Sequence, residues 1–149
     1  MQGYDYTREQ IPKLLELGII PEQPRPESTV ILAFLAAHGE LYDRFSFSVR
    51  VGPGRPANPE HDAGVQFSTT FSSMKRLDML AWSGQSMTLF EAKYRLSADA
   101  LGKLMMYRQL LMEELPDVAE PKLVALAKYA DDVILGVFSS QGIDVYLFD

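Results

Sequence analysis

Apolar residues follow two distinct periods along this chain. From Arg44 to Val51 the sequence RFSFSVRV alternates strictly. It puts Phe45, Phe47, Val49 and Val51 on one side and Ser46, Ser48 and Arg50 on the other, which predicts a strand with one buried face. Two more apolar runs, Met74 to Trp82 and Met87 to Tyr94, flank SGQS, where Gly84 favours a tight reversal, so a hairpin is expected there. Val65 to Phe71 (VQFSTTF) alternates too, as a hairpin partner or as part of a flap. Lys122 to Lys128 and Ile143 to Phe148 are short enough and apolar enough to be strands.

The helical period predicts three helices. Thr7 to Leu17 starts with a capping box, Thr7 with Gln10 three residues on, and ends at Gly18. Ser28 can cap a second helix running through about His38, apolar nearly all round, and Gly39 closes it. Ser97 can cap a third from Ala98 to about Leu115, where Leu101, Leu104, Met105, Leu111, Met112 and Leu115 recur at helical spacing. Between helices one and two, IIPEQPRPE holds three prolines and predicts an extended connector. Residues 52 to 64, with three prolines and three glycines, predict a loop. For Asp131 to Ser139 the pattern fits a short helix opened by paired aspartates or another strand. The order of elements predicts an α/β fold with a mixed central β-sheet flanked by helices.

Composition narrows the classes of function. A length of 149 residues fits one domain, with an N-terminal helix and Pro-rich connector over 1–27 and a core over 28–149. An apolar share of 47% against 23% charged residues argues against disorder. The chain has no cysteine, which removes disulfides, zinc-thiolate sites and thiol catalysis. No apolar run is long enough to span a membrane, and no leader pattern opens the chain, so a cytoplasmic protein is expected. The net charge is −6, yet residues 44 to 108 carry nine basic side chains against five acidic ones. A basic middle can present a positive face to a polyanion even in an acidic protein.

The candidate chemistry lies in that middle. Asp78, Glu91 and Lys93 interrupt the two apolar runs of the hairpin, where isolated charge is costly unless paired or bound to a metal. Glu91 and Lys93, two apart, leave the same sheet face, and Asp78 lies on the neighbouring strand. Two carboxylates with a backbone carbonyl and waters make an oxygen shell suited to Mg2+ or Mn2+. The plainer alternative is a surface ion pair worth about 0–1 kcal/mol. Lys103 and Tyr107, four apart on the third helix, share a face and could meet a phosphate. Arg50, Arg55, Lys75, Arg76 and Arg95 are candidates for phosphate-backbone contacts. His61 could join a metal with Asp62, though a lone histidine in a Gly/Pro loop is more often simply exposed, and His38 reads as structural. Neither a phosphate-binding glycine loop, a serine elbow nor an H-E-x-x-H motif occurs.

Asp78, a gap of twelve residues, and then Glu91-Ala92-Lys93, each set in an apolar strand and followed by a helix, resembles the core motif of the PD-(D/E)XK nuclease superfamily. The resemblance covers residues from about 28 to 128, and Gly102 to Arg108 looks like the helix after the motif in exonuclease-like and phage members. It implies a restriction-endonuclease-like α/β/α core and metal-dependent hydrolysis of DNA phosphodiester bonds. It also implies that Asp78, Glu91 and the Ala92 carbonyl bind Mg2+ or Mn2+ while Lys93 positions the attacking water. The alternative it leaves is an inactive module of the same fold, acting in nucleic-acid binding or phage complex assembly. Leu77 stands where a proline often precedes the aspartate, and Lys103 where glutamine is frequent. Glu27 and Glu40 flank the first core helix, and neither is assigned to the site. The expected partner is DNA, with the chain working as a homo-oligomer or as a subunit of a larger nucleoprotein machine.

Overall fold

A computed structural model describes residues 2–67 and 74–149. Its centre is a six-stranded sheet in sequential order: β1 (Gln2–Thr7), β2 (Arg44–Val51), β3 (Lys75–Ser83), β4 (Ser86–Arg95), β5 (Lys122–Tyr129) and β6 (Asp144–Leu147). The first four strands pair antiparallel, and β4, β5 and β6 pair parallel, so the sheet is mixed as expected. Helices α1 (Ile11–Leu17) and α2 (Arg25–His38) cover one face. Helices α3 (Ala98–Glu114) and α4 (Asp132–Ser140), the crossovers that parallel pairing requires, cover the other.

The α2 layer is aromatic. Val30, Ile31, Phe34 and Leu35 recur at helical spacing and are buried against Phe45, Phe47, Met79, Phe90 and Leu126. Phe34 lies at the centre, with ring centroids 4.9 Å from Phe90, 5.3 Å from Tyr146 and 5.3 Å from His38. That packing gives His38 its structural place. In the α3 layer, Leu104, Tyr107 and Leu111 pack with Val49, Leu77, Leu89, Ala125 and Phe138.

Several elements depart from expectation. Residues 2–7 form an edge strand, which the polar segment QGYDYT did not reveal. The Thr7–Gln10 capping box opens a 3-10 turn, with Gln10 Oε1 accepting from Thr7 N at 2.7 Å, and α1 follows it. The connector is a turn with only Ile20 and Gln23 buried, instead of an extended segment. Helix α2 starts at Arg25 after Pro24, so Ser28 is no N-cap. Its hydroxyl accepts from Ile20 N at 3.1 Å and donates to Gln23 O at 3.3 Å, tying the turn down.

Strand β2 does not keep one buried face. Ser48 has φ 51°, a left-handed conformation costly for a residue with a side chain. Phe45 and Phe47 therefore face α2, and Val49 and Val51 face α3. Two β2 residues oppose Gly3 at this bulge, where β1 pairing steps from Tyr4↔Phe47 to Gln2↔Arg50. A Cβ on Gly3 would come within 2.6 Å of Ser46 Oγ and 2.7 Å of Val49 Cγ2.

The SGQS hairpin forms as expected, with Ser83 paired to Ser86 and Gly84 at φ 60° in a two-residue turn. Asp131 settles the ambiguous segment in favour of a helix, its Oδ1 accepting from Ile134 N at 2.8 Å as the N-cap of α4. Of Val65 to Phe71, expected as a strand, residues 65–67 belong to a helical turn over 63–67, and 68–71 lie outside the described residues. Among the described residues, no helix is long and apolar enough to cross a membrane.

Because Phe34 links α2 to aromatic rings of β4 and β6, Phe34→Ala is expected to destabilise the fold by about 3–5 kcal/mol. Urea unfolding followed by circular dichroism measures this, and a loss below about 1 kcal/mol would contradict the packing described.

Candidate active site

The site lies where the sheet forks. Pairing between β3 and β4 runs from Ser83↔Ser86 to Met79↔Phe90 and stops. Beyond that point β3 stays paired with β2 as far as Val51↔Lys75, and β4 stays paired with β5 as far as Arg95↔Tyr129. Asp78 and Glu91, next in register across the hairpin, stand in the opening. The facing of β3 changes there as well. Met79 packs in the α2 layer, while Leu77 and Leu80 both pack in the α3 layer.

Asp78 fills the hydrogen-bonding role that a strand neighbour would have taken. Its Oδ2 accepts from Ala92 N at 2.7 Å, and its Oδ1 accepts from Gln23 Nε2 at 2.9 Å. Gln23 Nε2 also reaches Ser48 Oγ at 3.2 Å, and the Ser48 hydroxyl donates to Pro21 O at 2.5 Å. The proline turn and the strained bulge thus act together to orient one carboxylate. Neither Gln23 nor Ser48 was singled out from sequence. The available signal was a run of prolines before a helix, which does not announce a partner 55 residues away.

Around this pair opens a cleft of about 420 Å³. Asp78, Glu91, Ala92 and Lys93 form its floor, Gln23, Pro24 and Glu27 enter from the start of α2, and Lys103 and Tyr107 enter from α3. Arg50, Lys75 and Arg76 complete the wall, so five cationic side chains surround three carboxylates. Arg50 also holds Glu22 at 2.8 Å, with Arg76 4.0 Å from the same oxygen. Two expected contacts fall elsewhere. Arg55 belongs to the proline loop, and Arg95 lies at the far end of β4 over the Tyr129 ring. Glu27, left unassigned from sequence, lines the cleft, whereas Glu40 lies in a 3-10 turn away from it. A larger hollow of about 640 Å³ beneath β1 contains Asp5 and Arg44 among mostly neutral side chains and lacks paired buried carboxylates.

No family model and no curated protein matches this chain. Among solved structures, a repair endonuclease from Pyrococcus abyssi is similar with a TM-score of 0.48 and 11% identity, over 89% of this chain and 50% of that one. The structure of an EndoMS–dsDNA2 complex gives a TM-score of 0.46 and 15% identity, over 87% of this chain and 48% of that one. The chain spans about half the length of either.

Electrostatics at the fork favour a proton or a cation. Burial drives Asp78 above the usual carboxylate range, against the opposing help of the Ala92 N–H and Gln23. Burial and then the neighbouring Asp78 push Glu91 up to about 8. Glu91 Oε2 is buried and has no hydrogen-bond partner among the described residues, so this carboxylate oxygen is left without a donor. Lys93 Nζ is 4.0 Å from Glu91 Oε1. Lys103 is raised by its hydrogen bond toward Lys93 and, against the cost of burial, by the charges of Glu91 and Asp99. Tyr107 is pushed up by burial and by both carboxylates, so its phenol remains a neutral donor. Among the described residues no group of three or more acidic or histidine side chains converges on one point. Two carboxylates at the fork are a donor set that fits a hard cation keeping its waters or taking phosphate oxygens.

The raised Glu91 makes stability depend on pH. Between 4.5 and about 8 the unfolded chain has given up this proton and the folded protein still holds it, so each rise in pH favours unfolding. Above about 8 the dependence ends. Metal-free protein is expected to lose thermal stability steadily over that window, and Glu91→Gln is expected to flatten the loss and melt higher than wild type at pH 8. A melting temperature that rises from pH 5 to 8 in the wild type would contradict this assignment.

Proposed function

We propose that this chain is a divalent-metal-dependent nuclease hydrolysing phosphodiester bonds of DNA. The observation that carries the reading is the buried Asp78–Glu91 pair in the fork, with an unused carboxylate oxygen, a lysine 4.0 Å away and a cationic wall. Buried paired carboxylates are costly unless a cation joins them. Lys93 favours the ionised form of both carboxylates and Lys103 that of Glu91, and the cluster of cations as a whole also matches a phosphate backbone.

Asp78, Glu91 and the Ala92 carbonyl are the proposed ligands of Mg2+ or Mn2+. When bound, the ion supplies Lewis-acid stabilisation of phosphate charge and eases ionisation of water. The side chains do the rest. Gln23 and the Ala92 N–H hold Asp78 in one orientation, so that its charge need not be reorganised during reaction. Lys93, as an ammonium, orients the water that attacks phosphorus and offsets charge on the phosphate, while the water's proton passes to solvent and the leaving oxygen takes one from solvent as its bond to phosphorus breaks. Tyr107 donates from its neutral phenol to a non-bridging oxygen, and Lys103, which also holds Asp99 at 3.6 Å, offsets the second. Lys75, Arg76 and Arg50 at the cleft wall are proposed to set the register of the DNA backbone.

Asp78→Asn, Glu91→Gln and Lys93→Ala are each expected to lower Mg2+- or Mn2+-dependent cleavage of DNA by about 100-fold or more while keeping the wild-type circular dichroism spectrum. EDTA is expected to stop the wild type. Undiminished cleavage by a folded Asp78 or Glu91 variant would sink the assignment. No cleavage by the wild type of single-stranded, double-stranded or branched DNA with either metal, with DNA binding retained, would instead favour an inactive binding module.

A further inference from the structure

At the carboxyl ends of β4 and β5 the sheet finishes in a cluster that the cleft does not use. Tyr94 and Tyr129 are 45% and 40% exposed, large fractions for aromatic rings so near a core. Their centroids are 5.4 Å apart and their planes meet at 77°, so they form an edge-to-face corner. Arg95 lies 5.4 Å from the Tyr129 ring, and Lys128 Nζ is 5.8 Å from Tyr94 and 5.6 Å from Tyr129. Neither cation makes an ion pair with a described residue. The nearest carboxylate in sequence, Asp131, is occupied in capping α4.

Only part of this corner shares the sheet face of the cleft. Glu91, Lys93 and Arg95 alternate onto one face of β4 and Arg95 pairs directly with Tyr129, whereas Tyr94 and Lys128 leave the opposite face and meet Tyr129 at the strand end. Four residues of strand carry the chain roughly 13 Å from Glu91 to Arg95, or about four nucleotides at duplex rise. Exposed rings beside uncommitted cations suit a polymer that is anionic along its backbone and aromatic at every repeat. A base inside a duplex is stacked on its neighbours and offers only its edges, so ring faces of this kind serve unpaired bases.

We propose that Tyr94 and Tyr129 form a stacking platform for unpaired bases of single-stranded DNA, with Arg95 and Lys128 holding the adjoining phosphates. This rests on the nuclease reading of the cleft and deepens it. The substrate class becomes DNA with a single-stranded or frayed segment, led along β4 toward Lys93. Backbone phosphates at the platform give charge neutralisation, and the rings distinguish a strand with bases from one without.

The test is fluorescence anisotropy in EDTA with labelled oligothymidylate, an abasic strand of equal length and a duplex. All four substituted residues are partly or fully exposed, so the variants are expected to fold. Tyr94→Ala with Tyr129→Ala should weaken oligothymidylate binding about tenfold or more, and change abasic-strand and duplex binding by less than about threefold. Restoring rings as Tyr94→Trp with Tyr129→Trp should recover the affinity. Arg95→Ala with Lys128→Ala should reduce the salt dependence for the oligothymidylate and the abasic strand alike, by about 0.7 in slope for each phosphate lost. Equal loss on base-bearing and abasic strands, unchanged binding in the tyrosine variant, or equally effective competition by polyglutamate would each overturn the platform. Its failure is separable from failure of the nuclease reading. Metal-dependent duplex cleavage that survives in the tyrosine variant upholds the cleft, whatever happens to the platform. Base-dependent binding in a protein that cleaves nothing upholds the platform alone.

Discussion

The hydrogen bond from Ala92 N to Asp78 Oδ2, at 2.7 Å, governs the arrangement of this molecule's polar interior. A backbone donor inside a sheet ordinarily belongs to the neighbouring strand. Here the neighbour has left the ladder at Met79↔Phe90, and a carboxylate takes its place. The fork can open only because the exposed donor is satisfied in this way, and the carboxylate can remain buried only because backbone and side-chain donors hold it. Gln23, Ser48 and Pro21 extend the same network to the turn before α2 and to the bulge of β2. Their strain, with Ser48 at φ 51° and Glu22 at φ 59°, is concentrated around one side chain.

That arrangement leaves the second carboxylate unsatisfied. Asp78 is surrounded by donors, whereas Glu91 keeps a buried oxygen without one and has Asp78 as its neighbour. The two acids thus have separate environments: one is fixed in place, and the other is poised to take up a proton or a cation. A structural ion pair would have been better served by bringing Lys93 closer than 4.0 Å. The cationic wall offsets charge at the mouth of the cleft without neutralising Glu91 at its floor, which matches a site meant to receive a charged ligand.

Much of this was legible in the sequence because charge in an apolar run is a strong signal. Asp78, Glu91 and Lys93 stood out for their surroundings, and the SGQS turn placed the first two opposite one another. The helix periods located α2 and α3, and with them Lys103 and Tyr107 over the cleft. The remainder was hidden for physical reasons. Strand β1 is an edge strand with hardly any buried residue, so it carries no apolar alternation to detect. The strict pattern of β2 concealed a bulge, because alternation cannot show that a single residue has turned left-handed. Gln23 came from a proline-rich segment that reads as a linker, and only the tertiary fold shows that its side chain is buried. Arg55 and Arg95 belonged to the right stretch of basic sequence, but the loop and the strand end carry them away from the cleft.

The proposed chemistry depends on a cation held at the fork by Asp78, Glu91 and the Ala92 carbonyl. Crystals of the wild-type protein soaked in Mn2+ and measured for anomalous scattering test this. A peak is expected between the two carboxylates, within coordination distance of both, that disappears in Glu91→Gln. Crystals with both carboxylates ordered and no peak there at saturating Mn2+, or a peak bound elsewhere in the cleft without them, would contradict it.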